Sequence, residues 1–338
     1  MSALQLLDDD RYIWEHELAE FVPDRIFDAH THLYGVEALT HAEFRRSDLV
    51  EQWPYFGLDE LRHASAIAFP DRELHTLAMG WPAKGVDLVE MDVLVAESVA
   101  TDPQSLGLML AHPALTRTQV EQRLDTTGLA GFKPYMCFST AADPAQCTVL
   151  EMLPEHYWQV AHERQLIIVL HLGRHRALAD PINQRQIRDL AERFPHVRLQ
   201  LAHCGRCFTP EIAEAGLPTV ADLPNVHVDT SAVCETEVFH ILLDTWPRER
   251  ILFGTDNSLA GLTRGKYVAF GRGWYGIQEY NTAAFRAPHV PCRPTFVAYE
   301  NLRAIRYAAR RKGWGAAEHD DFFWNNAQRI LFHPLSGS

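Results

Sequence analysis

Five residues that end apolar runs of this chain are of the types that hold a divalent metal ion. His30 and His32 form an H-x-H at the end of the run RIFDAHTH, and His171, His203 and Asp256 each close a later apolar run. Imidazole nitrogens and carboxylate oxygens suit zinc, and iron, manganese and cobalt also accept them. Side chains two apart on a strand share a face, so His30 and His32 can grip one ion together. One H-x-H arises easily by chance. Four separate strand ends carrying ligand types, in chain order, do not. Lys133, Arg174 and Arg206 stand close to these positions and add cations that could hold a carboxylate or carbonyl oxygen.

Such a constellation needs a scaffold that brings distant strand ends together. Eight short apolar runs read as strands: Arg25–His32, Leu74–Trp81, Ser105–His112, Leu129–Met136, Leu166–Leu172, Val197–Cys204, Asn225–Ala232 and Arg250–Asp256. Helical patterns lie between them. In Pro181–Phe194 the residues Ile187, Leu190, Ala191 and Phe194 form one apolar stripe, and Glu151–Arg164, Glu235–Trp246 and Thr295–Arg311 also read as helices. Strands that alternate with helices predict an α/β fold, here a (β/α)₈ TIM barrel, whose C-terminal mouth gathers residues from every strand. The stretch Gly35–Pro70, with a helix at Leu58–Ala66, reads as an insertion after strand one. Ser258–Pro294 reads as an insertion after strand eight. The reading is one domain over 1–338 with an N-terminal helical extension, 1–24.

The chain has 338 residues, 47% of them hydrophobic, enough for a large core. A net charge of −13 argues against nucleic-acid binding, and no run holds the ~18 apolar residues needed to span a bilayer. The first residues lack the marks of a secretion signal, so the expectation is a cytoplasmic protein. The cysteines are scattered and suggest no disulfide framework, and Cys204 and Cys207 read as packing residues. His112, before Pro113, reads as the cap of its strand. Asp229 and Ser231 share a face and read as hydrogen-bonding support for the site.

The motifs DAHTH, the His171 strand, AHCGR and GTD, in this order, resemble the amidohydrolase superfamily, most closely its amidohydrolase-related branch of hydrolases and decarboxylases. The similarity runs from about Ile26 to NNAQRILF at Asn325–Phe332. The resemblance implies that His30, His32, His171 and Asp256 hold one divalent ion, most simply Zn²⁺, and that His203 assists as acid or base. It also leaves open whether Lys133 is an unmodified ammonium or the carboxylated lysine that bridges two ions in binuclear relatives.

The mechanism that follows is hydrolytic. A bound ion lowers the pKa of its water towards ~7. Asp256 accepts that proton and later delivers it to the leaving group, while His203 and Lys133 stabilise charge on the substrate oxygen. The expected reaction breaks a C–O or C–N bond of a lactone, ester or amide. The substrate is expected to be small and to carry a carboxylate held by Arg174, with Arg206 either joining it or organising the rim. Tyr135 is a further candidate for the pocket wall, and Arg264 and Lys266 for the late insertion. Decarboxylation of a small unsaturated acid is the alternative, and sugar-acid isomerisation, suggested loosely by TDNSLAGLTRGKY, a more distant one. A metal-free scaffold barrel is disfavoured, because burying these polar ligands without an ion costs stability. Pairing of two copies is a possibility by analogy only.

Overall fold

Strand and helix alternate through the computed structural model, which describes residues 4–43, 53–278, 289 and 293–333. The main sheet contains β1 (Arg25–Gly35), β2 (Tyr55–Phe56), β3 (Glu73–Gly80), β4 (Leu106–Ala111), β5 (Gly131–Pro134), β6 (Ile167–Leu170), β7 (Arg198–Leu201), β8 (Val226–Asp229) and β9 (Ile251–Leu252). β2 pairs antiparallel with the end of β1, and the other neighbours are parallel, in the order β1-β3-β4-β5-β6-β7-β8-β9. The chain beyond β9 bonds back to the start. Ala29 N donates to Phe253 O (2.9 Å) and Asp256 N to His30 O (2.8 Å), which closes the sheet on itself. The architecture is the expected TIM barrel.

The helices cover the outside: α1 (Leu58–Ala68), α2 (Leu88–Ala100), α3 (Arg117–Thr127), α4 (Glu155–Glu163), α5 (Pro181–Arg193), α6 (Pro210–Gly216), α7 (Thr236–Thr245) and α8 (Val297–Arg311). α5 shows why they form where they do. Asp180 caps it by accepting from Ile182 N (2.9 Å), Pro181 takes the first helical position, and Ile187, Leu190 and Ala191 are buried. Such a cap contributes about 1 kcal/mol, and the buried stripe contributes more. The helix expected at Glu151–Arg164 is two pieces, Val149–Met152 and α4, because Pro154 cannot continue the first.

The lumen is dry and apolar in its lower half. Phe27, Ala29, Leu77, Met79, Leu108, Ile167, Val169 and Leu252 meet there. Trp324, Ile330 and Leu331 plug it from below, carried by the helical run that begins at Ala316–Asp320 and continues through Asp321–Asn325 and Gln328–Phe332. At the other end, the insertion after β9 forms a hairpin of β10 (Gly265–Phe270) and β11 (Gly273–Gln278). The remainder of that insertion, 279–288 and 290–292, and 44–52 of the first insertion lie outside the described residues. The N-terminal segment carries a helix at Asp8–Ile13. Its buried Asp10 binds Arg264 (2.7 Å), which ties the segment to the late insertion.

Candidate active site

β1 aims its two histidines by an irregularity. Phe27 and Ala29 face the lumen, so strict alternation would turn Thr31 inward as well. The register against β3 shifts between Asp28 and Thr31, and the parity flips. Thr31 then faces out, where its hydroxyl meets that of Thr76 (2.6 Å), and His30 and His32 face the mouth. Asp28 pins the bulge. Its carboxylate accepts from His30 N (3.1 Å) and Thr255 N (2.9 Å). Asn257 clamps His32 from the other side, accepting from His32 N (2.7 Å) and donating to His32 O (3.2 Å).

Asp229, at the end of β8, is the hub beneath the ring of histidines. One oxygen accepts from His30 Nδ1 (3.0 Å) and Gln200 Nε2 (2.7 Å). The other accepts from His203 N (3.0 Å), Ser231 N (3.1 Å) and the Ser231 hydroxyl (2.5 Å). Burial alone would raise its pKa, but His30 and these donors hold the carboxyl below its ordinary value. His30 therefore spends Nδ1 on Asp229, and His32 spends Nδ1 on Gly80 O (3.0 Å). Each turns its Nε2 lone pair to the same space. His203 gives Nδ1 to Ser231, whose hydroxyl is 2.8 Å away, and its ring stacks on His30 at 4.9 Å. Burial lowers the pKa of all three, and His203 is pushed down to about 3, so they are neutral ligands or acceptors.

Asp256 closes the circle. It lies past β9 in a left-handed conformation (φ 53°), and its Oδ1 stands 3.4 Å from His32 Nε2 and 3.9 Å from His30 Nε2. That buried oxygen has no hydrogen-bond donor. A carboxylate oxygen facing imidazole lone pairs is repulsive unless a proton or a metal ion lies between them; burial disfavours a proton on His32 and raises the pKa of Asp256 well above its ordinary value, and a divalent ion in this position would replace that proton. The donor set therefore fits a divalent ion, with His30, His32 and Asp256 mutually within 4.8 Å. His171, the fourth ligand implied by the sequence, is on the same rim but outside this tight group among the described residues. Its Nδ1 is buried without a partner, and its ring sits 5.3 Å from that of His203.

Three further cations and a tyrosine complete the rim. Lys133, fully buried at the end of β5, donates from Nζ to His30 Nε2 (3.0 Å). Burial pushes its pKa down to about 8 against the pull of Asp256 and Asp229. Tyr135 follows β5, with its ring 4.9 Å from His171. Arg174 is already neutralised. Its Nε meets Asp180 Oδ2 at 2.9 Å and its Nη1 donates to Gln146 O (3.2 Å). Arg206 is not neutralised in this way. It donates to Leu172 O (2.8 Å), and no carboxylate among the described residues lies within ion-pair distance of it. Its pKa is lowered by burial, with Tyr135 and Cys147 opposing, which places it beside the pocket tyrosine. The last residues of the strand expected at Val197–Cys204 are instead part of a left-handed turn, His203 to Arg206, with φ of 55°, 52°, 69° and 60°. This turn carries the acid/base candidate and the free guanidinium together.

The remaining candidates fall into place around this centre. His112 caps its strand: its Nδ1 accepts from Ala114 N (3.2 Å), and its backbone carbonyl accepts from the Tyr157 hydroxyl (2.9 Å). Cys204 and Cys207 are buried packing residues. Arg264 pairs with Asp10, and Lys266 lies 3.8 Å from Glu300. Asp28, Asn257 and Gln200 were not anticipated. The signal for Asn257 was its place directly after Asp256; for Gln200 it was a polar residue facing inward in the apolar run VRLQLAHC.

This geometry has counterparts among known proteins. The model of the amidohydrolase family matches residues 27–332. The chain belongs to the amidohydrolase family. Solved structures agree in fold. An amidohydrolase from Burkholderia multivorans with bound zinc is 15% identical, covering 91% of this chain and 99% of that one, with a TM-score of 0.56. A probable 2-pyrone-4,6-dicarboxylic acid hydrolase from Acinetobacter baumannii with citric acid bound is 12% identical over 91% and 99%, at 0.54. The 2,6-dihydroxybenzoate decarboxylase from Rhizobium is 14% identical over 92% and 99%, at 0.52. No curated protein matches the chain in sequence. Membership of the amidohydrolase family makes this chain an enzyme. Among the described residues no helix is long and apolar enough to cross a membrane.

Proposed function

We propose that this amidohydrolase is a metal-dependent hydrolase that cleaves a C–O or C–N bond in a small substrate bearing a carboxylate. The carrying observation is the unpartnered Asp256 Oδ1 facing the Nε2 atoms of His30 and His32. His30, His32 and Asp256, joined by His171, would hold one divalent ion, with zinc the first choice given the zinc-bound neighbour. When bound, the ion supplies Lewis acidity and an acidified water. The protein's own residues do the rest. Asp256 takes a proton at a carboxylate oxygen and returns it to the leaving group. His203, neutral and held through Nδ1 by Ser231, keeps Nε2 for a hydrogen bond to substrate. Arg206 binds the carboxylate, with Tyr135 beside it. Arg174, ion-paired to Asp180, takes the supporting place on the rim.

Non-oxidative decarboxylation is the second reading. It is favoured by the decarboxylase neighbour and by the same free Arg206, which would hold an acid substrate equally well. A panel of lactones, esters, amides and aromatic acids separates the two, read by water consumption and by carbon dioxide release. Carbon dioxide from the acids with no turnover of the lactones, esters or amides would reject hydrolysis. Within the panel, Arg206→Ala should cost acidic substrates about 2–5 kcal/mol in transition-state terms and spare neutral ones. An equal loss on both would make Arg206 structural. Elemental analysis of protein never exposed to chelator should find about one divalent ion per chain.

A further inference from the structure

Lys133 has a relation to the metal ligands that the catalytic reading does not use. Its Nζ donates to His30 Nε2 at 3.0 Å, and both side chains are fully buried. His30 has only one free lone pair, because Nδ1 is committed to Asp229. That lone pair is the one a metal would need. The ammonium and the ion therefore claim the same atom, and they also repel each other at short range in a site of low polarity.

We propose that Lys133 is a resident cation that a divalent ion must displace from His30, so that this lysine sets the metal affinity of the site. The charge balance explains why such a residue is tolerated. Asp229 and Asp256 are both buried in the pocket, and Lys133 is a buried cation that faces them. The ammonium satisfies the lone pair of His30 and faces the buried Asp229. With an ion, the site carries a surplus positive charge, which suits the anionic substrate proposed above. The inference rests on the metal reading of the site and adds to it a competition internal to the chain.

The test is a zinc titration of the full-length, metal-stripped chain against a competing chelator, comparing wild type with Lys133→Met, which keeps length and loses charge. The variant should bind zinc at least tenfold more tightly. Its melting temperature should also rise more on zinc addition, because no ammonium has to leave His30 for the ion to bind. Equal affinity would overturn the competition and leave the metal reading standing. Weaker binding by the variant, or binding by wild type that depends on bicarbonate, would overturn it by making Lys133 a ligand. Absence of zinc binding in both chains would overturn the metal reading and this inference together. Should Lys133→Met not fold, wild type still decides. The chain has four lysines, Lys84, Lys133, Lys266 and Lys312. With ε-¹⁵N-labelled lysine, zinc should shift one buried Nζ resonance in step with binding. A resonance that stays in place while zinc binds would refute displacement.

Discussion

At the scale of single residues, Asp229 orients its neighbours while the proposed chemistry falls to Asp256, and their substitutions should differ accordingly. Asp229 accepts five hydrogen bonds and fixes the tautomer of His30. An asparagine there would present a donor to groups that already donate. Asp229→Asn should weaken zinc binding by about 10–100-fold, as loss of a carboxylate behind a ligating histidine commonly does, and zinc titration would show it. Asp256 makes few bonds within the protein through its side chain. Asp256→Asn should fold normally and lose on the order of 10²–10⁴ in kcat, because the amide keeps the shape and cannot take a proton. Activity within tenfold of wild type would move the proton work to His203.

At the scale of elements, the turn after β7 decides how the site is furnished. Its four residues are all left-handed and only Gly205 is at ease there. Each of the others costs roughly 1–2 kcal/mol in that conformation. The strain is offset by what the turn achieves: His203 returns over Asp229, to which its backbone N donates, and Arg206 projects beside Tyr135. A side chain at Gly205 would meet Leu178 at 2.9–3.0 Å, including its Cβ, which cannot swing away. Gly205→Ala should therefore destabilise the chain by about 2–4 kcal/mol, summing conformational strain and overpacking. It should also raise KM for acidic substrates more than it lowers kcat, since Arg206 moves with the turn. Urea unfolding and steady-state kinetics would separate the two effects.

At the scale of the whole molecule, the barrel is held by its plug and by a charged seam near its base. Trp324 fills the bottom of the lumen, with Arg25 over its ring at 4.6 Å and His75 edge-on at 5.2 Å. Trp324→Ala should cost about 3–5 kcal/mol in unfolding free energy. Asp102 joins α1, β3 and the approach to β4 by accepting from Arg62 (2.7 Å), His75 (2.7 Å) and the Ser105 hydroxyl (2.6 Å). Burial pushes its pKa up, but the bonds from Ser105, His75 and Gln104 N outweigh that and hold it below the ordinary value. A depressed carboxyl pKa means stability that is complete above the unfolded value of ~3.9 and is lost as pH falls through the folded one. Asp102→Asn should thus lower stability at neutral pH by about 1.5–3 kcal/mol and flatten the acid limb of the stability profile. Urea midpoints between pH ~2 and ~7 would check both.

The barrel and the convergence of its histidines at one mouth could be read from the sequence because both obey local rules. Apolar runs separated by amphipathic stripes report strand and helix by periodicity, and residues that end successive parallel strands must converge at one mouth. That His30, His32, His171, His203 and Asp256 would meet at one rim was legible for that reason. Which cation stays free to meet a substrate was not. Arg174 and Arg206 stand in the same relation to their histidines along the chain, three residues on, yet one is neutralised by Asp180 and the other reaches no carboxylate among the described residues. That difference depends on where the chain turns after each strand, and pairing across a fold leaves no periodic trace. The same holds for Lys133 and His30, which are 103 residues apart and touch only because β5 and β1 face one lumen. The parity flip in β1 is also tertiary. A bulge is defined against the neighbouring strand, so RIFDAHTH alone shows that two histidines share a face, and only the pairing with β3 makes it the inner one.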